Sequence, residues 1–125
     1  MKIIKSDKAP AAIGPYSPGI LVNGMLFLSG QLGVDPSSGK LIDDSTEAQA
    51  EQALKNMKTL LNAAGLEMNS VAKTTIFLES MDDFKNVNAI YAKHFGDHKP
   101  ARSTVQVAKL PMGAKVEIEC IAVAK

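Results

Sequence analysis

Arg102 is the only arginine in a chain whose other thirteen basic residues are lysines. It sits in the stretch Pro100-Ala101-Arg102-Ser103, at the start of an apolar run. An arginine presents a planar fork of donors that grips a carboxylate or phosphate at two points, which a lysine ammonium does not. Further on, Glu117 and Glu119 alternate with Val116, Ile118 and Cys120. A strand there puts both carboxylates on one face, and the same alternation groups Arg102, Thr104 and Gln106. A short connection separates the two strands and suits antiparallel neighbours, with a register the pattern leaves open. Three uses of these charges stand side by side. Arg102 is a plain surface charge, or it is half of a structural ion pair with Glu117. In the third, the arginine holds a substrate carboxylate while the glutamate moves protons.

The remaining reactive residues form weaker groups. His94 and His98 are four apart, but Gly96 between them ends a helix and no third ligand is in sight, which argues against zinc. Cys120 reads as a small core residue. No G-x-S-x-G elbow, P-loop or G-x-G-x-x-G is present. Tyr16 lies in a stiff loop, Ala9 to Gly19, with three prolines and two glycines, where its ring either packs or meets a ligand. Asp43-Asp44 and Asp82-Asp83 stand where helices begin, and the helix dipole accounts for both.

The elements that must position these residues follow from periodicity. Residues 2–5 suggest a short strand. Asn23-Gly24 between two apolar runs predicts a hairpin. Residues 31–45 read as a loop. Thr46-Glu47-Ala48-Gln49 fits a capping box, followed by Ala50, Leu54, Met57, Leu61 and Ala64 at helical spacing and a stop at Gly65. Residues 70–79 predict a strand. Asp82 or Asp83 caps a second helix with Phe84, Val87, Tyr91 and Phe95 on one side and a stop at Gly96. Two strands close the chain, 102–107 and 115–123. The order β, ββ, α, β, α, ββ implies an α+β domain with both helices on one face of a mixed six-stranded sheet. In the last strand Val116, Ile118, Cys120 and Ala122 face one way, while Glu117, Glu119, Ile121 and Val123 face the other. The half-apolar second face then needs a cover, and a second copy of the chain is the simplest one.

Composition narrows the functional classes. The 125 residues, 46% hydrophobic and 22% charged, suit one domain over 1–125 with a real core. A net charge of +1, no tryptophan and two tyrosines supply neither a basic face nor a stacking platform, which argues against nucleic acid as a partner. No apolar stretch is long enough to span a membrane, and Met1–Lys8 does not read as a signal peptide. One cysteine cannot form an internal disulfide, so a reducing compartment, the cytoplasm, is expected.

Five segments, Ile13-Gly14-Pro15-Tyr16-Ser17, Leu28-Ser29-Gly30-Gln31, Asn86–Tyr91, Pro100–Ser103 and Lys115–Glu119, come in an order that resembles the reactive-intermediate deaminase family, also described as endoribonuclease L-PSP or translation-inhibitor proteins. The resemblance runs from Ala9 to the C-terminus. It implies a chorismate-mutase-like α+β fold and a homotrimer with a central barrel and ligand sites between subunits. It also implies hydrolysis of short enamine and imine acids, 2-aminoacrylate and 2-iminobutanoate, to 2-oxo acids and ammonia, with no cofactor or metal. The residues it points to are Arg102 as the carboxylate grip, Glu117 as the water-activating group, and Tyr16, Ser29, Gly30, Asn88 and Thr104 around the ligand. Thr104 stands where many members carry cysteine, so a thiol nucleophile is not expected there. A small-acid-binding regulator, a translation inhibitor or an endoribonuclease is the alternative that the same resemblance carries.

Overall fold

A computed structural model describes residues 1–124. The first strands are β1 (Lys2–Ile4), β2 (Gly19–Val22) and β3 (Met25–Leu32). Helix α1 (Thr46–Ala63) follows, then β4 (Val71–Leu78), helix α2 (Phe84–Phe95), β5 (Ala101–Gln106) and β6 (Val116–Val123). The β2–β3 hairpin turns through Asn23 and Gly24, both at positive φ (50° and 74°). This backbone matches strand twist, and an Asn-Gly pair adopts it with little strain.

The cap of α1 lies one residue from the expected one, and the start of α2 is where expected but lacks the expected side-chain cap. The cap of α1 is Ser45, whose hydroxyl accepts from the Ala48 N–H at 3.1 Å. The Thr46 hydroxyl is engaged elsewhere, donating to Asp83 Oδ2 at 2.8 Å and tying the two helix starts together. Asp83 holds the N-cap position of α2, as expected, but its carboxylate makes no capping hydrogen bond there. A 3-10 turn, Met81–Asp83, leads in, with Ser80 accepting from the Asp82 N–H. Both predicted stops are in place, with Gly65 and Gly96 at positive φ. The expected loop at residue 31 begins two residues later, because β3 runs through Leu32.

The sheet order is β1-β2-β3-β6-β4-β5. This corrects the expected pairing of the last two strands. β5 runs parallel to β4, and β6 lies between β3 and β4, antiparallel to both. The cause is α2, which carries the chain from β4 to β5 as a crossover between parallel neighbours. Residues 107–115 then carry it back past β4 to the slot beside β3.

Both helices pack on one face. Leu26, Leu54, Met57, Leu60, Leu61, Ile76, Leu78 and Ile118 are fully buried between helices and sheet. The other face is open, and Phe27, Val105 and Val123 are each 42% exposed on it. β5 is an edge strand, so its outer row of backbone groups is unpaired within the protomer. No helix is long and apolar enough to cross a membrane among the described residues.

Candidate functional site

Glu117 projects from the open face into a cavity of about 720 Å³. Tyr16, Ser29, Gly30, Leu32, Met112 and Glu119 help to line it. The local backbone explains how the carboxylate gets there. Leu28 pairs with Cys120 and Gln31 with Ile118, so Ser29 and Gly30 together face Glu119 alone. This is a β-bulge, an extra residue that re-aims its strand. The bulge presses Gly30 against the Glu117 side chain. A Cβ built on Gly30 would stand 2.6 Å from both Cδ and Oε2 of Glu117. The glycine is thus a seat for the carboxylate.

The bulge also anchors the proline-rich loop. The Ser29 hydroxyl donates to the Ser17 carbonyl at 2.7 Å, and the Ser29 N–H donates to the Pro18 carbonyl at 2.9 Å. Tyr16, half-exposed, is held at the cavity rim by this anchor. Burial raises the Glu117 carboxyl above the usual glutamate range, and the nearby Glu119 charge adds to the effect. A carboxylate with a raised pKa is a stronger base than an exposed one. Cys120 points to the opposite face. Burial first, and the Glu119 charge second, push its thiol up to about 12, so it is no thiolate at neutral pH.

The Gly30 contact carries a prediction. Gly30→Ala should fold, because the atoms in its way are the far end of a side chain. It should displace the Glu117 carboxyl and lower kcat by about 100-fold, the scale of an ångström-sized misplacement. Steady-state kinetics beside a thermal melt checks both parts.

Arg102 lies elsewhere. Its register partner on β4 is Thr74, a residue of the helix-covered face. Its Nη1 donates to Asn88 Oδ1 on α2 at 2.6 Å. The guanidinium carbon lies 5.0 Å from the centre of the Tyr91 ring and 5.6 Å from that of Phe84. Thr104, two residues on, has a buried hydroxyl oxygen with no hydrogen-bond partner.

Glu117 pairs with Phe77, and Phe77 with Val105, three residues beyond Arg102. Two strand spacings and three residues put the Arg102 and Glu117 Cα atoms about 14 Å apart, with side chains on opposite faces. The ion pair weighed from the sequence does not form within the protomer. The seven residues singled out thus fall into two groups. Tyr16, Ser29, Gly30 and Glu117 meet at the cavity, and Asn88, Arg102 and Thr104 meet on the other side of the sheet, at its edge.

The histidines have local partners. His94 Nε2 is 2.6 Å from Glu51 Oε2, joining α2 to α1, and His98 Nε2 is 2.6 Å from the Val71 carbonyl. Tyr91 and Phe84 were legible only as the apolar side of α2. Nothing in their spacing signalled contact with the arginine.

The protomer is thus of the two-helix α+β class, with a half-buried glutamate on one face of its sheet and a cradled arginine on the other. Residues 6–124 match the family model described as Endoribonuclease L-PSP, and the chain belongs to that family. It is 55% identical over 121 residues to the chloroplastic Reactive Intermediate Deaminase A of Arabidopsis thaliana, covering 97% of this chain and 65% of that protein. It is 52% identical over 122 residues to the 2-iminobutanoate/2-iminopropanoate deaminase of Mus musculus, covering 98% and 90%. Among solved structures it is similar to E. coli TdcF with bound serine, with a TM-score of 0.95, 41% identity and full coverage of both chains.

Proposed function

We propose that the chain hydrolyses short imine and enamine acids, 2-iminobutanoate and 2-aminoacrylate, to 2-oxo acids and ammonia. The observation that carries this reading is Glu117, raised in pKa and seated on Gly30 in a cavity, in a chain about half identical to proteins named for that reaction. Arg102 holds the substrate carboxylate by paired charge-assisted hydrogen bonds. Glu117 takes a proton from water as the oxygen attacks the imine carbon. It then returns that proton to the nitrogen, the C–N bond breaks and ammonia leaves, and the hydroxyl gives up its remaining proton to water as the carbonyl of the 2-oxo acid forms. The protonated imine carbon is electrophilic, so the step calls for neither a cofactor nor a metal. Thr104 offers a hydroxyl in place of a thiol, and the water route does not use one.

A four-carbon acid cannot touch Arg102 and Glu117 of one protomer across about 14 Å and two faces of a sheet. The site is therefore completed between copies, with Arg102 of one subunit meeting Glu117 of the next. A homotrimer, its open sheet faces closed into a central barrel as in a chorismate-mutase-like assembly, would cover Phe27, Val105 and Val123. It would also occupy the free edge of β5. A cytoplasmic location fits the single buried cysteine.

The test is a coupled assay. Threonine dehydratase releases 2-iminobutanoate into semicarbazide, which traps the imine, and the protein competes for it. Reduced trapping with faster 2-oxobutanoate formation is expected. Trapping that does not change at any protein concentration overturns the reading.

A further inference from the structure

Tyr91 looks at first like a core residue of α2, 6% exposed and stacked on Phe95 with ring centres 4.5 Å apart. Its hydroxyl is nevertheless pinned. It lies 2.7 Å from the hydroxyl of Thr74, which is fully buried in the middle of β4. Thr74 is also the residue in register with Arg102 on the neighbouring strand. The pin therefore fixes the Tyr91 ring beside the base of the arginine side chain, and the guanidinium carbon sits 5.0 Å from its centre. Phe84, seven residues and so about two turns earlier on α2, supplies a second ring at 5.6 Å. Asn88 lies between them in sequence and takes Nη1 at 2.6 Å. The other guanidinium donors have no hydrogen bond among the described residues.

We infer that Tyr91, assisted by Phe84, is a positioning residue for Arg102: the rings and Asn88 hold one side of the guanidinium so that its remaining donors are presented to a carboxylate. The physical case is that a free arginine side chain loses several rotamers when it binds, at a cost to affinity. A guanidinium already resting on aromatic faces has lost them beforehand. Lysine gains less from such a seat, since it lacks the planar face that stacks. The inference rests on the reading of Arg102 as the carboxylate grip, and the experiment separates the two.

Because Arg102 is the only arginine, the protein has a single Nε–H arginine signal in a nitrogen–proton NMR spectrum, and Arg102→Ala identifies it by its loss. In the wild type this signal should be displaced by the aromatic rings from the position of a free arginine. Tyr91→Phe keeps the ring and deprives Thr74 of its partner. It should lower Tm yet leave the signal displaced and KM for 2-iminobutanoate within about twofold. Tyr91→Leu removes the ring. It should return the signal toward the free position and raise KM about tenfold, with kcat changed much less. Phe84→Leu, at a half-buried position, should move the signal in the same direction by less, and serves where Tyr91→Leu fails to fold. A signal unmoved by loss of either ring, or equal KM in Tyr91→Phe and Tyr91→Leu, overturns the inference. An unchanged KM in Arg102→Ala would instead overturn the grip itself, whatever the signal shows.

Discussion

Glu117→Gln is expected to lower kcat by about 10²–10⁴-fold, the usual weight of a positioned general base, with little change in KM. The amide has nearly the same shape and can rest on the same glycine, so the loss reports proton transfer. A second result should accompany it. Burial raises the Glu117 pKa in the folded state, so the folded protein favours the protonated carboxyl. The stability this group contributes is present below its unfolded pKa and is lost as pH rises through the raised folded value. At pH 7.5 the native protein carries that unfavourable charge, and glutamine removes it. Glu117→Gln should therefore melt at a higher temperature than wild type at pH 7.5, and the gain should vanish near pH 4. The wild-type kcat/KM should rise with pH through a midpoint above the ordinary glutamate range, as the base loses its proton. Melting curves at the two pH values and a pH–rate profile check both statements. A variant that is inactive but no more stable at pH 7.5 would place the carboxyl in water, away from the seat described.

Arg102→Ala should lower kcat/KM by about 10²–10³-fold, the cost of removing one member of a desolvated, hydrogen-bonded charge pair. Arg102→Lys should be nearly as poor. It keeps the charge, but it loses the fork that takes two carboxylate oxygens and the planar group that meets Tyr91 and Phe84. Steady-state kinetics of both variants against 2-iminobutanoate decides the point. A lysine variant with wild-type kcat/KM would reduce Arg102 to a point charge.

Local chemistry made much of the fold legible. Asn23-Gly24 marked the hairpin, Gly65 and Gly96 marked the helix ends, and the Val116–Val123 alternation separated a buried face from an open one. The order of strands was not legible, since each strand's pattern says that it has two faces but not which strand lies beside it. Both orders of β4, β5 and β6 satisfy the same alternation. For that reason the pattern placed Arg102 with Thr104, and Glu117 with Glu119, and left open that the two pairs lie on opposite sides of the sheet. The bulge at Ser29-Gly30 was hidden as well. A Ser-Gly pair inside a strand is compatible with regular pairing, and only the register with β6 reveals the extra residue. Tyr91 shows the same limit from another side. Helical spacing reports that a residue faces inward but not what stands opposite, so a ring beneath a cation and a ring in a core look alike.

The division of the chemistry between the two sides of one sheet has a genetic consequence. A subunit damaged at Arg102 still carries a sound Glu117, and one damaged at Glu117 still carries a sound Arg102. In the proposed ring of three, every mixed assembly of these two defective kinds would contain one junction where the intact halves meet. Random co-assembly at equal amounts should then restore about a quarter of wild-type activity from two inactive parents. Two alleles, each null when alone, would complement in one cell, and a single defective allele would be partly masked by its partner rather than dominant over it.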